Sequence, residues 1–419
     1  MRLDLRYGVG SLPIENGTIT IVEELAPKQT EGLSDIGTEV YKALHSPINA
    51  KPLIKEVTQD SVVAIVLQGE IDNNLSSLIL ESVFSSLSNA AVDPSQVHVI
   101  VSREQISPNQ IEAIDESLGS IISRDYNLLV HSPELENSLV EVGYTPTHST
   151  PLYLNSRFVR SNYRIAIGDI RPSIFLGATG GRTGVLPGVS GIRTIARNRK
   201  LMATAKVNSF SLNTPACIDM SEAAACAGLN MIVNTVPDWM GNVAAVVSGD
   251  PEISWMQGAK VAQTLATCRP KQRADIAVVS AGGSPHDQTL FEAVDSLFPA
   301  YIVTKHGAPI VLVAECSGGI GAEGFVKGVS KANSLEEAYT VVQTEYELGM
   351  EKSWHFWKML QNREIILCSR LRQSLVEERL HCTAVRDPQE GLDLAKRKVG
   401  TRSKVVVIPD GSRVHISNE

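Results

Sequence analysis

The chain has 419 residues, 43% of them hydrophobic and 20% charged, with a formal net charge of −8. That length exceeds one ordinary core and implies two domains, at roughly 100–200 residues each. The acidic balance excludes nucleic acid and anionic membrane as electrostatic partners, and the apolar content excludes disorder.

The N-terminus, Met1-Arg2-Leu3-Asp4-Leu5-Arg6-Tyr7-Gly8, lacks the apolar centre of a signal peptide. No apolar run approaches the ~20 residues needed to cross a bilayer. The cysteines Cys217, Cys226, Cys268, Cys316, Cys368 and Cys382 contain no C-x-x-C pair. They are expected as reduced, mostly buried thiols, without a structural zinc site. The expected compartment is cytoplasmic.

Along the chain, β-branched runs alternate with amphipathic ones. A strand at 62–67 precedes a helix at 75–88, then strands at 97–101 and 163–168. A helix at 221–227, a strand at 230–234 and a helix at 255–266 follow. The second half alternates strand 274–280, helix 288–297, strand 308–314 and helix 335–348, ending with strands at 364–368 and 404–408. Nearly continuous apolar strands separated by helices predict an α/β protein with parallel, helix-covered sheets. The polar link Cys268-Arg269-Pro270-Lys271-Gln272-Arg273 is the expected hinge. It gives an N-terminal domain over 1–268 and a second over 274–400, with 401–419 a terminal strand returning to the first domain.

Ligands of such sheets collect in the loops at the strand carboxyl ends, and three loops stand out. Gly177-Ala178-Thr179-Gly180-Gly181-Arg182-Thr183-Gly184-Val185-Leu186-Pro187-Gly188 exposes backbone N–H groups suited to an anion, or is simply a tight turn. It lacks the lysine of a P-loop. Ser280-Ala281-Gly282-Gly283-Ser284-Pro285-His286-Asp287 offers His286 as a base or ligand contact and Asp287 as a helix N-cap. The run Gly319-Ile320-Gly321-Ala322-Glu323-Gly324 matches G-x-G-x-x-G. A dinucleotide site also needs an acid at the end of the next strand, about 20 residues on. That position falls in the predicted helix 335–348, so NAD binding is excluded.

Taken in order, these motifs resemble one family. Pro172-x-x-x-x-Gly177-x-x-Gly180-Gly181-x-x-x-x-Leu186-Pro187-Gly188 resembles the central motif of the nickel-dependent lactate racemase (LarA) family. Asn213-Thr214-Pro215, Glu222-Ala223-Ala224, Ile232-Val233-Asn234 and Gly249-Asp250 are similar to its later runs. Asp275-Ile276-x-x-x-Ser280-x-Gly282-Gly283-x-Pro285-x-Asp287, then Ala314-Glu315-Cys316-x-x-Gly319-Ile320-Gly321, resembles the opening of its second domain. Tyr7-Gly8-x-Gly10 and Ala43-Leu44-x-x-Pro47 extend the likeness to nearly the whole chain.

The resemblance implies two domains with a cleft between them. It also implies a nickel-pincer nucleotide fixed covalently to a lysine, a histidine ligand to nickel, and two histidines as acid and base on a hydroxy acid. An arginine in an Asp-x-Thr-Arg motif would hold the substrate carboxylate. Here the tether position is Thr183, the histidine after Pro172 is Ser173, and the histidine after Asn198 is Arg199. The upstream Gly-x-His stretch corresponds to Glu104-Gln105-Ile106, and the Asp-x-Thr-Arg motif to Gly69-Glu70-Ile71-Asp72. Threonine offers no amine, arginine has no lone pair for a metal, and serine cannot exchange a proton near neutrality. The expectation is a family member that uses no cofactor of this kind and holds no metal.

Of the histidines, His98 and His355 are expected in packing roles, and His131 and His415 in polar or terminal stretches. Only His286 lies in a loop that the family turns toward its cleft. Arg182, Thr183, Arg193, Arg197, Arg199 and Lys200 gather cations around the first loop. Arg193, Arg197 and Lys200 are expected as solvated helix residues. The expected site is Gly180, Gly181, Arg182, Thr183, Ser173 and Arg199 around a small anion, either a 2-hydroxy acid or a phosphate- or nucleotide-like group. Any activity would be that of an isomerase. A catalytically silent sensor or assembly partner, and a racemase with a non-covalently held cofactor, are the alternatives. A homo-oligomer is left open.

Overall fold

The computed structural model describes residues 2–15, 21–68, 73–102, 126–203, 211–400 and 402–417. Its contacts define a central unit, 29–198 with 210–265, and a terminal unit, 1–28 with 199–209 and 266–419. The expected stretches 69–72 and 104–106 lie outside the described residues.

The central unit holds a six-stranded sheet in the order Val243–Gly249, Met231–Pro237, Tyr163–Asp169, Val63–Gln68, Val97–Ser102, Asn127–Val130. All neighbours run parallel except Val243–Gly249, which is antiparallel to its partner. Apolar runs such as Val63–Leu67 are continuous because elements cover both faces. On one face Ile65, Leu67, Val99, Ile167 and Val233 pack with Val40 and Leu44 of helix Ile36–His45, and with Ile79, Leu80 and Val83 of helix Asn73–Asn89. Each such side chain contributes about 1.5–3 kcal/mol by leaving water. The other face carries Ala64, Ala166 and Gly168. Their small size lets the Gly181–Gly184 turn lie close, since a Cβ on Gly184 would stand 2.8 Å from Ala166 Cβ.

In the terminal unit a fully parallel sheet runs Thr383–Val385, Glu364–Cys368, Pro309–Val313, Ile276–Ser280, Val405–Ile408, Ile21–Glu24. The units divide the chain differently from the expected 1–268, 274–400 and 401–419. The first 28 residues do not belong with the N-terminal half. Strand Ile21–Glu24 pairs with Val405–Ile408, and the hairpin Arg2–Tyr7/Gly10–Glu15 adds Leu5 and Ile14 to the core of this unit. The tail joins the same unit, where it pairs with residues 21–24 and 267–268 of the expected first domain. Val405–Ile408 sits beside Ile276–Ser280, and His415–Ile416 pairs with Thr267–Cys268.

All eight predicted strands are present, with ends shifted by no more than three residues. Helices differ more. The predicted 221–227 helix begins at Pro215, because Thr214 accepts from Cys217 N–H and proline suits the first turn. The predicted 288–297 helix is broken into Leu290–Ala293, Val294–Ser296 and Leu297–Val303. The segment where a dinucleotide site needs its acid is indeed helical, Leu335–Thr344. The glycines of G-x-G-x-x-G serve packing instead: a Cβ on Gly321 would meet Phe291 Cβ at 2.8 Å, and one on Gly324 would overlap Leu348 O. Five cysteines are buried and Cys226 is exposed, all as free thiols.

Candidate functional site

The glycine-rich loop leaves the carboxyl end of strand Tyr163–Asp169 in the central unit. Pro172–Ser173 pairs back on Gly177–Ala178, and Ser173 Oγ accepts from Leu176 N–H at 3.3 Å. Thr179 closes the base, its N–H on Arg171 O (2.8 Å) and its Oγ1 accepting from Arg171 N–H (3.0 Å). Gly180 (φ 81°) and Gly181 (φ 52°) are left-handed, and a Cβ on Gly180 would stand 2.8 Å from Asp169 O. Only glycine meets both conditions. Thr183, Val185, Leu186 and Gly188 N–H then donate within the loop. Gly181 and Arg182 N–H open the short Gly181–Gly184 helix, whose own bonds cannot use its first donors.

Arg182 was expected to present its charge to an anion, and the structure corrects this. The side chain is 2% exposed, with its guanidinium carbon 3.4 Å from the centroid of the Trp255 ring. Nη1 donates to Ser221 Oγ (2.8 Å), and Nη2 to Leu176 O (3.3 Å) and Cys217 Sγ (3.0 Å). Glu252 Oε1 stands 4.0 Å from Nη1, and Nε is buried without a hydrogen-bond partner among the described residues. Burial lowers the Arg182 pKa, opposed by Cys217 and Glu252. Burial likewise raises that of the Cys217 thiol, so the sulfur stays protonated at neutral pH. The cation is spent on holding the loop over helix Pro215–Cys226 and Trp255. Its ends are engaged because the loop carbonyl and helix side chains converge on it as it folds under the turn.

Thr183 lies over the sheet, and its Oγ1 accepts from Gln68 Nε2 at 2.9 Å. Gln68 ends its strand on the face of small residues and folds across Gly168, where a Cβ would lie 2.6 Å from Gln68 Cδ. On the next strand Asn234 pairs with Gly168 in register. It is 0% exposed, and neither side-chain polar atom has a hydrogen-bond partner among the described residues. Asp169 beside them accepts from Arg171 Nη2 (2.7 Å) and from Thr235 Oγ1. Gln68 and Asn234 were not expected at the site, although Asn234 ends a run similar to the family's. Each is a polar residue ending an apolar strand run, and that was the available signal.

Arg199 and His286 fall in the terminal unit, not with Thr183. Arg199 is half-buried near the end of helix Ile192–Met202 and donates to Met202 Sδ at 3.5 Å. His286 Nε2 accepts from Arg413 Nη2 at 3.1 Å, which places its proton on Nδ1. Asp287 is not an N-cap. It is fully buried, and its Oδ2 accepts from Gly8 N–H (2.7 Å) and Glu315 N–H (3.0 Å). Thr289 caps the helix in a capping box with Glu292. Arg193 and Arg197 are exposed as expected, while Lys200 Nζ donates to Gln343 O at 3.0 Å. His131, in its polar stretch, is buried: Nε2–H donates to Ser190 O (2.9 Å) and Nδ1 accepts from Asn155 Nδ2 (3.3 Å). Among the described residues no group of three His, Cys, Asp or Glu side chains is placed to share a metal ion.

Two units with largely parallel, helix-covered sheets define an α/β protein. The family follows from comparison. The model for the lactate racemase N-terminal domain matches residues 7–210, and that for the lactate racemase C-terminal domain matches 269–416. The chain belongs to the lactate racemase family. It is 24% identical to a lactate racemase of Thermoanaerobacterium thermosaccharolyticum over 90% of this chain and 89% of that one. A lactate racemase of Lactiplantibacillus plantarum is likewise 24% identical, over 89% of each. The fold matches the lactate racemase apoprotein of T. thermosaccharolyticum with a TM-score of 0.86 at 23% identity, covering 100% of both chains. A Thermotoga maritima protein matches at 0.66 and 13%, covering 93% of this chain and 100% of that one.

Proposed function

We propose that this chain is a divergent member of the lactate racemase family that binds a small anion at the Gly181–Gly184 turn and works without a lysine-tethered nickel-pincer nucleotide. The anion class is a 2-hydroxy acid or a phosphate- or nucleotide-like group. The observation that carries the proposal is Thr183. It stands where the family resemblance expects the tethering lysine, and its hydroxyl is engaged by Gln68 at 2.9 Å. A threonine there has no amine to bond the cofactor, and Ser173 and Arg199 cannot replace imidazole ligands. The residues do not fit that group. Support for an anion comes from the N–H groups of Gly181 and Arg182, which open the turn, and from the buried Arg182 cation beneath them. In this reading Arg182 acts through its field and not by direct contact. No helix among the described residues is long and apolar enough to cross a membrane, and a cytoplasmic setting accords with free thiols.

A thermal-shift series with inorganic phosphate, nucleotides and 2-hydroxy acids tests the binding, and chiral chromatography of lactate tests the chemistry. Stabilisation by one of these anions, with no lactate interconversion, is expected. Lactate racemisation that appears only after co-expression with the pincer pathway, or no stabilisation by any of these anions, would overturn the proposal. A silent ligand sensor is the second reading. It is favoured by His286, whose Nε2 lone pair is taken by Arg413 and so is not available to accept a substrate proton.

A further inference from the structure

Four neighbouring strands of the terminal unit, Glu364–Cys368, Pro309–Val313, Ile276–Ser280 and Val405–Ile408, run parallel and start level with one another. The segments that lead into them therefore collect at one end of the sheet, opposite the carboxyl-end loops. Residues 269–275, 303–308, 361–364 and 396–404 make up that end. They hold ten Lys and Arg against two acids, Asp275 and Glu364. In a chain of net charge −8, this end alone carries +8. Backbone bonds tie the segments together: Asp275 N–H donates to Lys404 O (2.9 Å), Lys305 N–H to Ala274 O (2.9 Å) and Gly307 N–H to Asn362 O (3.0 Å).

The ordinary duty of cations here is to answer the last carbonyls of helices Leu297–Val303, Ser353–Asn362 and Pro388–Val399, which all finish at this end. Arg363 does this. It is buried, with Nη2 donating to Tyr301 O (3.1 Å) and Thr304 O (3.0 Å), and Nε to Thr304 Oγ1 (2.8 Å). Both acids are also taken, Asp275 by Lys305 Nζ (2.6 Å) and Glu364 by Lys398 Nζ. Arg269, Lys271, Arg273, Arg397 and Arg402 remain, all exposed and with no side-chain hydrogen bond or ion pair among the described residues. Burial lowers the Arg363 pKa, Tyr301 opposes, and Arg273 lowers it further. Like charges thus repel one another in the free chain, a cost that an anionic partner removes.

We infer that the amino end of the terminal sheet is a docking surface for a short acidic segment of a partner protein. Size and charge favour that class. Four strands at ~4.8 Å spacing span about 14 Å, which an extended peptide crosses in about four to five residues. A nucleic-acid duplex or a membrane would also lie over the rest of the chain, which carries the acidic excess. Exposed ion pairs are individually weak and screened by salt, so affinity here follows the number of cations and falls with ionic strength.

Fluorescence anisotropy of labelled octaglutamate with the full chain tests this, at about 50 mM and about 200 mM salt. Wild type should bind the peptide and lose at least about fivefold in affinity at the higher salt. Arg273→Gln, Arg397→Gln and Arg402→Gln together should weaken binding at low salt by about tenfold or more, at up to about fivefold per exposed ion pair. Lys51→Gln, Lys55→Gln and Arg160→Gln lower the net charge equally on the central unit, and should change affinity by less than about twofold. The first triple variant should keep or raise the wild-type melting temperature, because it relieves the repulsion at Arg363. No octaglutamate binding by wild type, or equal weakening in both triple variants, would defeat the inference. So would a melting temperature lowered by more than about 5 °C in the first variant, which would make these cations supports for the helix ends. Tighter binding of oligothymidylate or of phosphatidylserine vesicles than of octaglutamate would give the surface to nucleic acid or membrane and remove the acidic protein partner.

Discussion

Replacing Arg182 with alanine should destabilise the central unit and not merely weaken a ligand. The side chain is 2% exposed and stacks at 3.4 Å on Trp255. A desolvated cation–π contact is worth about 2 kcal/mol. Truncating a large buried side chain costs about 2–5 kcal/mol through lost packing and the cavity left behind. Ser221 Oγ and Leu176 O also lose their donor, and an orphaned buried group costs about 1–3 kcal/mol. Against these stands relief from burying a charge whose nearest carboxylate, Glu252, is 4.0 Å away, worth several kcal/mol per ion. The net expectation is a loss of about 3 kcal/mol, or roughly 6–12 °C in melting temperature for a unit of this size. Trp255 fluorescence through thermal unfolding provides the assay. Arg182→Met, which keeps the stem, should recover part of the loss. An Arg182→Ala protein that melts within about 2 °C of wild type yet loses anion affinity would refute the reasoning, since the guanidinium would then be a ligand contact.

Asp238 gathers five donors, from Thr30 N–H and Oγ1, Met240 N–H, and Asn242 N–H and Nδ2. Burial raises its pKa, but these bonds win and hold it below the ordinary value, so Asp238→Ala should cost about 2–4 kcal/mol in urea denaturation. His355 donates to Met202 O at 3.0 Å, and burial pushes its pKa down to about 4. The unfolded chain binds that proton more readily, so stability is full above about pH 6.5 and declines toward pH 4, by about 3 kcal/mol from this group. Denaturation midpoints between those limits should flatten in His355→Gln. Gly180→Ala forces a φ of 81° on a side chain 2.8 Å from Asp169 O, and should cost about 2–3 kcal/mol in the same assay.

The strand pattern was legible because runs such as Val63–Leu67 are buried on both faces, which demands uninterrupted apolar sequence. Edge and hairpin strands lacked that demand: Asn127–Val130 and Leu139–Tyr144 are partly exposed and carry no clear period. The domain boundary was misplaced because sheet membership depends on long-range pairing. Nothing local in Ile21–Glu24 announces Val405–Ile408 as its neighbour. The glycine-rich loop was visible as composition, and its left-handed positions explain that composition. The fate of Arg182 was not visible, since a charge beside glycines suggests solvent until Trp255 is known to lie beneath it. Asp287 followed the N-cap rule in sequence, yet Gly8, 279 residues away, claims its carboxylate.

Intact-mass spectrometry of the full chain, purified after co-expression with a pincer-nucleotide biosynthesis pathway, tests the central claim most directly. A lactate racemase of the family processed in the same cells serves as the positive control. With Thr183 where the family resemblance expects the tethering lysine and its hydroxyl on Gln68, the protein should carry only the mass of its own polypeptide, about 45.3 kDa. A nucleotide adduct on any residue of this chain would contradict the account.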